Sequence, residues 1–254
     1  MRWRLMFGRR WIFTTLLALA AVGVMARLGI WQLDRLSQRR DFNARVEAQI
    51  DQDVMILDGE IAQMDLYDME YRLVEVRGEY DHGVEVVLLN RDWRGNLGVD
   101  IITPLRIANS DMYVLVDRGW VPQEHYRDSK LEQYHLSGEV LVRGYLRRAE
   151  SEPTFGGVPD ATLAPGQPRL EQWNVVNVER IARENGLDTL PLYIQELGIE
   201  TDAEPPIPSE LSLDLTEGPH MGYALQWFTF AAILLIGYPY YVQKTEKVSS
   251  RQEN

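Results

Sequence analysis

The chain has 254 residues, no cysteine and a formal net charge of −12. The lack of cysteine excludes disulfides, thiolate redox chemistry and cysteine metal sites, including those of paired-cysteine copper chaperones. Residues 34–217 carry 36 acidic and 18 basic residues, whereas the two ends together carry 8 basic and 2 acidic residues. The acidic middle argues against a nucleic-acid partner, since nucleic-acid-binding surfaces are basic. Basic ends beside apolar stretches are typical of membrane proteins.

The first apolar stretch follows a basic N-terminus, residues 1–10, and predicts a transmembrane helix over residues 11–33. A cleaved signal peptide is the alternative, because Ala18, Leu19 and Ala20 resemble a cleavage site. We favour a retained anchor, because the apolar run continues beyond that point and a second one follows near the C-terminus. Since few residues precede Trp11, we expect a bacterial protein and no mitochondrial transit peptide.

The second apolar stretch is uncharged from Met221 to Val242. About 20 residues at ~1.5 Å each cross a bilayer core of ~30 Å, so we predict a second transmembrane helix over residues 220–242, followed by a tail at residues 243–254. The basic residues beside both stretches place both termini in the cytoplasm. We therefore expect a multi-pass protein of the bacterial inner membrane, with residues 34–219 outside the cytoplasm.

The middle of the chain alternates between polar and apolar residues, which predicts a β-rich domain. It begins with a helix over residues 34–50, continues through an acidic, irregular segment at residues 51–70, and ends in a proline-rich segment at residues 201–219. About seven strands are expected, at residues 74–80, 84–90, 99–107, 112–118, 139–146, 172–178 and 192–197. We predict an antiparallel sandwich or partial barrel, of the α+β class, between two transmembrane helices.

Three local signals refine that prediction. Asp92–Asn96 has the composition of a hairpin turn. Pro104 indicates an edge strand or a bulge, because proline cannot donate to a sheet ladder. Asn177 and Gly186 predict the two ends of a short helix over residues 178–185. Another proline- and glycine-rich loop lies at residues 151–168.

The outer ends of the two apolar helices hold the residues with the clearest chemistry. His220, Ala224, Trp227 and Ala231 recur at helical spacing, and Arg27 and Trp31 lie at the corresponding depth of the first helix. A histidine at an apolar, aromatic boundary near a guanidinium suits haem, whose iron takes His and whose propionates take Arg. The alternative is anchoring, with His220 at the interface and Arg27 reaching lipid phosphate.

The other histidines, His82, His125 and His135, lie in the predicted outer domain. None has the spacing of a metal-binding motif such as H-x-x-x-H or H-E-x-x-H. We interpret them as surface or loop histidines. The chain also lacks the G-x-S-x-G, P-loop and G-x-G-x-x-G motifs.

Four motifs resemble those of the surfeit-locus (Surf/Shy) family of cytochrome c oxidase assembly factors. Residues 29–36 read GIWQLDRL, residues 114–122 read VLVDRGWVP, and His220, Tyr223, Ala224, Trp227 and Phe228 match the second-helix signature. Asn90-Arg91 and residues 98–105, GVDIITPL, also match. The motifs occur in the family's order, over residues 29–242.

The resemblance implies two membrane helices around an extracytoplasmic domain and no enzymatic activity. It implies binding of haem A and assistance with its insertion into the catalytic subunit of cytochrome c oxidase, with haem A synthase and membrane lipid as further partners and no nucleic acid. His220 matches the family's candidate ligand of the haem iron. Around it we place Trp227 against the porphyrin, Trp31 and Tyr223 at its edges, and Arg27 or Arg35 on a propionate.

Two other functions remain compatible with the sequence. One is a scaffold that stabilises oxidase assembly intermediates and binds no haem. The other is a membrane-tethered extracytoplasmic enzyme, for which the sequence offers no nameable catalytic set.

Overall fold

The computed structural model describes residues 5–60, 66–153, 156–198, 204–211 and 213–252. The chain divides into two compact units. The helical unit comprises Met1–Arg45 and Asp214–Asn254, and the barrel unit comprises Val46–Leu213. Each unit is described separately below.

Two long helices form the helical unit. Helix α1 spans Ile12–Ile50, so the helix predicted after residue 33 continues the first apolar helix without a break. Helix α4 spans His220–Gln252. Both are long and apolar enough to cross a membrane, and only 11% of the most apolar window of each is buried. Large apolar side chains such as Phe13, Leu225 and Ile236 are exposed, as expected of surfaces that face lipid.

The two helices run antiparallel, as contacts along their length demonstrate. At one end the Trp11 indole donates to Glu246 Oε1 at 2.7 Å, and the Tyr238 hydroxyl lies 2.8 Å from Thr15 Oγ1. At the other end Arg40 makes a bidentate contact with the Glu217 carboxylate, at 2.8 and 2.9 Å. The beginning of α1 therefore lies beside the end of α4, and the reverse.

In its described residues, the barrel unit has eight strands and two short helices. The strands are β1 Met55–Leu57, β2 Leu73–Tyr80, β3 Val86–Trp93, β4 Asn96–Ile107, β5 Tyr113–Pro122, β6 Glu139–Arg148, β7 Gln172–Trp173 and β8 Thr189–Glu196. The helices are α2 Gln123–Arg127 and α3 Val178–Asn185, and 3₁₀ turns lie at Tyr67–Met69, His82–Val84 and Leu131–Tyr134.

The sheet closes on itself. Its order is β1-β2-β6-β8-β5-β4-β3-β7, and an additional pairing of β2 with β4 joins β2, β6, β8, β5 and β4 into a barrel. The β-rich α+β fold between two apolar helices is thus confirmed, with a closed barrel where the sequence predicts a partial barrel or a sandwich. Three pairs, β1–β2, β3–β7 and β5–β8, are parallel and the others are antiparallel. The parallel pair β5–β8 is possible because β6 and α3 lie between the two strands in sequence.

The barrel closes because β4 changes partners along its length. Its first part pairs with β3 up to Ile102, and its last part pairs with β2 from Leu105. Pro104 lies between these two ladders, where its missing N–H costs no hydrogen bond, and the register of β4 against β5 shifts just before it. The signal of Pro104 therefore marks the change of partner and the adjacent bulge, although β4 is an inner strand.

The core follows from the strand patterns. Strand β2 alternates buried and less buried residues, whereas most of β4 and β5 is buried on both faces. Inside the barrel lie Val74, Val116 and Ile194, and a second cluster that includes Trp173 and Ile181 covers the outer side of β4 and β5. A closed barrel has one inner face, so residues buried on the outside require this second layer.

Local predictions have mixed outcomes. Helix α3 has the predicted bounds, with the Asn177 side chain accepting from the Arg180 N–H and Gly186 in the left-handed conformation at φ 66°. The strand predicted over residues 172–178 is only Gln172–Trp173. Strand β1 lies within the segment predicted to be irregular, and part of that segment, residues 61–65, lies outside the described residues.

Candidate functional site

His220 and Gln32 form a hydrogen bond between the two long helices. His220 Nδ1 lies 2.8 Å from Gln32 Oε1. Because this amide oxygen is an acceptor, Nδ1 carries the ring proton and Nε2 has a free lone pair. Among the residues that the structure describes, none forms a hydrogen bond with Nε2. An imidazole held in this way can ligate a metal through Nε2, in the usual arrangement of a ligating histidine fixed by its other nitrogen.

Small residues bring the two helices close enough for this bond. A Cβ atom added at Gly29 would lie 2.7 Å from Cε1 of Phe228, so the helices contact each other where α1 lacks a side chain. Ala224 and Ala231 on α4 are also buried, and Leu36 is buried on α1. These residues recur at helical spacing with Gln32 and His220, which therefore meet at the edge of the same contact face.

Among the aromatic residues predicted to line the site, Trp227 lies nearest to this contact face. It is half-buried, and its ring meets Phe230 edge-on at 6.3 Å. Tyr223 lies on the first turn of α4, where its N–H donates to the Pro219 carbonyl, and its side chain is 49% exposed. The two rings thus lie beside His220 along α4 and remain accessible from outside the helix pair.

The predicted residues of α1 divide into two groups. Arg27 and Trp31 are exposed, each two positions from Gly29, which corresponds to about 200° around a helix. They therefore lie on the side of α1 away from Phe228, and the helix pair does not bring them to His220. Arg35 is exposed too, but it lies about 60° around the helix from Gln32, with its guanidinium 5.6 Å from the Trp31 ring.

Gln32 was not predicted to be a site residue. The feature that could have indicated it is a polar amide in an otherwise apolar helix end, within the first of the four motifs. The bidentate contact between Arg40 and Glu217 was missed as well, and so was the hydrogen bond from Asn43 to the Leu215 carbonyl. These contacts hold the segment before α4 along α1, which positions His220 opposite Gln32.

Four residues of the barrel motifs line a separate groove of about 1340 Å³, namely Asn90, Arg91, Asp100 and Trp120. Arg91 Nε lies 3.0 Å from the buried Asp100 carboxylate, and Trp120 lies on the same wall. Asp117 is buried next to them. Burial raises the pKa of Asp117 to about 7 and that of Asp100 to about 6, with repulsion from Asp100 adding to the shift of Asp117 and attraction to Arg91 opposing both shifts.

Gly119 allows the proline-rich segment to lie against β5. Its φ is +103°, and an added Cβ atom would lie 2.2 Å from the Ile207 carbonyl oxygen. Next to it, Trp120 and Ile207 exchange two backbone hydrogen bonds, of 2.7 and 2.8 Å. The R-G-W sequence of the motif is therefore explained in part by backbone packing.

Comparisons with known proteins identify the family of the chain. The model of the SURF1 family matches residues 19–232. A SURF1-like protein of Caenorhabditis briggsae is 23% identical over 245 residues, covering 89% of this chain and 74% of the relative. A SURF1-like protein of Monosiga brevicollis is 28% identical, covering 82% and 79%. Surfeit locus protein 1 of Mus musculus is 27% identical, covering 81% and 68%. The family model covers the barrel and part of each apolar helix, and the chain belongs to the SURF1 family.

Proposed function

We propose that this protein binds haem A and assists its insertion into the catalytic subunit of cytochrome c oxidase. Membership of the SURF1 family supports a role in assembly of this oxidase. The observation that carries the finer proposal is the hydrogen bond between His220 Nδ1 and Gln32 Oε1, at 2.8 Å. It leaves Nε2 as the nitrogen that would ligate iron.

The donor set fits haem as a cargo. Haem iron is held in many proteins by one histidine, since the porphyrin supplies four nitrogen ligands itself. His220 offers that single imidazole at an apolar boundary, and Gln32 fixes its tautomer without adding a charge. A neutral second-shell partner gives a weaker ligand than a carboxylate would. This suits a protein that must release the haem again.

The surroundings supply the other contacts that haem needs. Trp227 and Tyr223, on the same helix, would pack against the porphyrin, and both remain accessible from outside the helix pair. Arg35 lies on the flank of α1 nearest to Gln32 and would pair with a propionate, with Trp31 beside it. Arg27 lies on the side of α1 away from Phe228, farther around the helix from Gln32 than Arg35, so we assign it to lipid phosphate or to the partner subunit.

The proposal also gives the protein a place and partners. The two apolar helices are consistent with a membrane protein. We propose that it lies in the bacterial inner membrane with both termini in the cytoplasm, where it would receive haem A from haem A synthase. A site at the outer helix ends would be accessible from the bilayer, through which both partners and the haem approach.

Co-expression with a haem A synthase, followed by pigment analysis of the purified protein, tests the proposal. We expect a Soret band in the wild type, its loss or shift in His220→Ala, and roughly 10–100-fold weaker binding in Gln32→Leu, which removes the partner of Nδ1. His125→Ala is the matched control and should keep the spectrum. A colourless wild type from such cells would favour the scaffold that binds no haem.

A further inference from the structure

Two histidines and a glutamate meet at one side of the barrel unit. His82 lies in the 3₁₀ turn after β2, Glu85 follows that turn, and His135 follows the turn Leu131–Tyr134. His82 Nδ1 lies 3.2 Å from Glu85 Oε2, and His135 Nε2 lies 3.7 Å from Glu85 Oε1. One donor atom from each residue lies within 4.8 Å of the other two. Both histidines lie in turns or loops, as predicted, but the fold brings them together, which their spacing in the sequence did not indicate.

The two imidazoles hold each other in place. Their rings stack with centroids 4.0 Å apart and planes 14° from parallel. His82 Nε2 lies 3.0 Å from the carbonyl oxygen of Leu136, the residue after His135, and 3.2 Å from the Leu136 backbone nitrogen. In the tautomer with the proton on Nε2, this nitrogen donates to the carbonyl and Nδ1 presents its lone pair towards Glu85. In the other tautomer, Nε2 accepts from the Leu136 N–H and Nδ1 donates to Glu85, so a metal ion would select the first. A ligating histidine in a metal site usually makes this kind of hydrogen bond to a backbone carbonyl.

The Glu85 carboxylate is anchored on one side and open on the other. Its side chain is 8% exposed, Oε2 accepts from Thr103 Oγ1 at 2.6 Å, and the Arg118 guanidinium lies 3.7 Å away. Within the described part of the chain, the contact recorded for Oε1 is His135 alone, at 3.7 Å. One carboxylate oxygen thus has firm partners, while the other faces an imidazole across more than a hydrogen-bond distance.

We propose that His82, Glu85 and His135 bind one divalent transition-metal ion. Tetrahedral coordination at 2.0–2.1 Å places ligand atoms about 3.3 Å apart. His82 and His135 lie 3.2 and 3.7 Å from different oxygens of Glu85, and one donor atom of each residue lies within 4.8 Å of the others, so side-chain adjustments would bring the three donors to this geometry. Two imidazoles and one carboxylate suit Zn²⁺ or Cu²⁺, whereas Ca²⁺ and Mg²⁺ require sets of oxygen ligands.

Exposure and charge refine the proposal. The His135 side chain is 32% exposed, so an ion can reach the site from solvent and a water molecule can occupy a fourth position. Arg118 is buried, donates to the Tyr134 carbonyl at 2.6 Å and lies over the Tyr80 ring. Its positive charge lies 3.7 Å from Glu85 and opposes a second cation. The site therefore favours ions with high intrinsic affinity for nitrogen, and Cu²⁺ should bind more tightly than Zn²⁺.

The site differs from the proposed haem site in residues and in chemistry. It lies entirely in the barrel unit, and no haem-site residue belongs to it. A bare ion brings no ligands of its own, which is why three protein donors are needed here.

Metal titration of the full-length protein in detergent, purified without a histidine tag and stripped with a chelator, tests the proposal. Zn²⁺ and Cu²⁺ are titrated separately against a competing chromophoric chelator. We expect one equivalent of each ion to bind to the wild type and to His220→Ala. His135→Ala and His82→Ala should each lose at least roughly 10–100-fold in affinity, the cost known for second-shell changes.

His125→Ala is the matched control, because His125 lies in the same unit and bonds to Tyr134 outside the cluster. It should keep the wild-type affinity. Thermal melts verify that the variants fold, and Glu85→Gln, which keeps the shape of the side chain, should bind as weakly as the histidine variants. If the folded His82→Ala and His135→Ala proteins bind both ions as tightly as the wild type, or if the wild type binds neither, the site is excluded. Either result leaves the haem proposal untouched.

Discussion

His220 in the helical unit and His82 in the barrel unit each have one ring nitrogen held by an uncharged amide or backbone group, and they differ in what surrounds the other nitrogen. For His220 the partner is the Gln32 side-chain amide, and in the described residues no other metal-ligating side chain faces Nε2. For His82 the partner is the backbone of Leu136, and Glu85 and His135 lie opposite. A lone imidazole suits a metal that arrives in a porphyrin, whereas a convergent set suits a bare ion.

The two units also achieve this geometry by different means. In the helical unit, the positions of two residues depend on how far one helix slides and turns against the other. In the barrel unit, loops between strands carry the donors, and strand pairing fixes those loops. Changes in barrel packing should therefore reduce the stability of the whole barrel unit, whereas changes in helix packing should mainly alter the contact between His220 and Gln32.

The largest expected effect is that of Gly119→Val in the barrel. Valine at φ +103° is strained, and its Cβ atom would lie 2.2 Å from the Ile207 carbonyl. Because the added Cβ atom collides with backbone atoms of Ile207 and Pro208, which cannot rotate away, we expect a loss of at least about 4 kcal/mol in the free energy of unfolding. Near-UV circular dichroism and urea titration of the purified protein measure it.

Gly95→Ala is the control for this change. Gly95 also has a positive φ, +82°, but no atom lies within 4 Å of an added Cβ atom. Its cost should be limited to backbone strain, about 1 kcal/mol. Equal losses in the two variants would contradict the packing argument for Gly119.

A smaller effect concerns the pH dependence of the barrel. Asp117 has an ordinary pKa of 3.8 when unfolded and about 7 when folded, mainly because of burial. Between these pH values the folded state binds more protons at Asp117 than the unfolded state does. The contribution of Asp117 to stability is therefore greatest below pH ~4 and falls as the pH rises to ~7. Asp117→Asn should reduce this fall, by on the order of 2–4 kcal/mol between pH 5 and pH 8, in urea titrations at each pH.

The shift of Asp100, to about 6, has the same sign, so a residual slope should remain in Asp117→Asn. Asp111→Asn removes an exposed carboxylate and should leave the wild-type profile unchanged. A profile of Asp117→Asn that matches the wild type would mean that Asp117 is not the buried acid responsible.

The smallest effect is that of Gly29→Ala in the helical unit. The added Cβ atom would lie 2.7 Å from the Phe228 ring, which can rotate, so overpacking should cost about 1–2 kcal/mol. We expect a modest fall in the melting temperature in detergent and weaker haem binding, because separation of the helices lengthens the contact of His220 with Gln32. Barrel metal binding should not change.

Gly23→Ala provides the comparison on the same helix, since no atom lies within 4 Å of its added Cβ atom. It should be neutral or slightly stabilising, because alanine favours helix formation. If Gly23→Ala weakens haem binding as much as Gly29→Ala does, close contact at Gly29 is not what positions the site.

The sequence predicts those parts of the fold that depend on neighbouring residues. The ends of α3 follow from Asn177 and Gly186, and β2 follows from its alternating pattern, because capping and pleating are local. The closure of the barrel depends on the pairing of β2 with the end of β4, which no local pattern encodes. The sequence around Pro104 indicates an irregularity in β4 but not the change of partner.

The candidate sites divide in the same way. Helical spacing places His220 and Trp227 on one face and brings the outer end of α1 to the same depth. It does not give the rotation of α1, so Gln32 was not distinguished from Arg27 and Trp31. The barrel cluster had no sequence signal, since its two histidines are separated by three strands, β3 to β5, and meet only through the sheet.

The contacts before α4 determine the height of His220 on α1. Arg40 makes a bidentate contact with Glu217, and Asn43 donates to the Leu215 carbonyl. These contacts attach the residues just before α4 to one place on α1, and His220 follows Glu217 by three residues. One residue inserted in α1 between Gln32 and Arg40 would shift that point by ~1.5 Å and turn it by ~100°. The spacing between Gln32 and Arg40 along α1 therefore determines the depth of His220, through contacts that lie outside the apolar region.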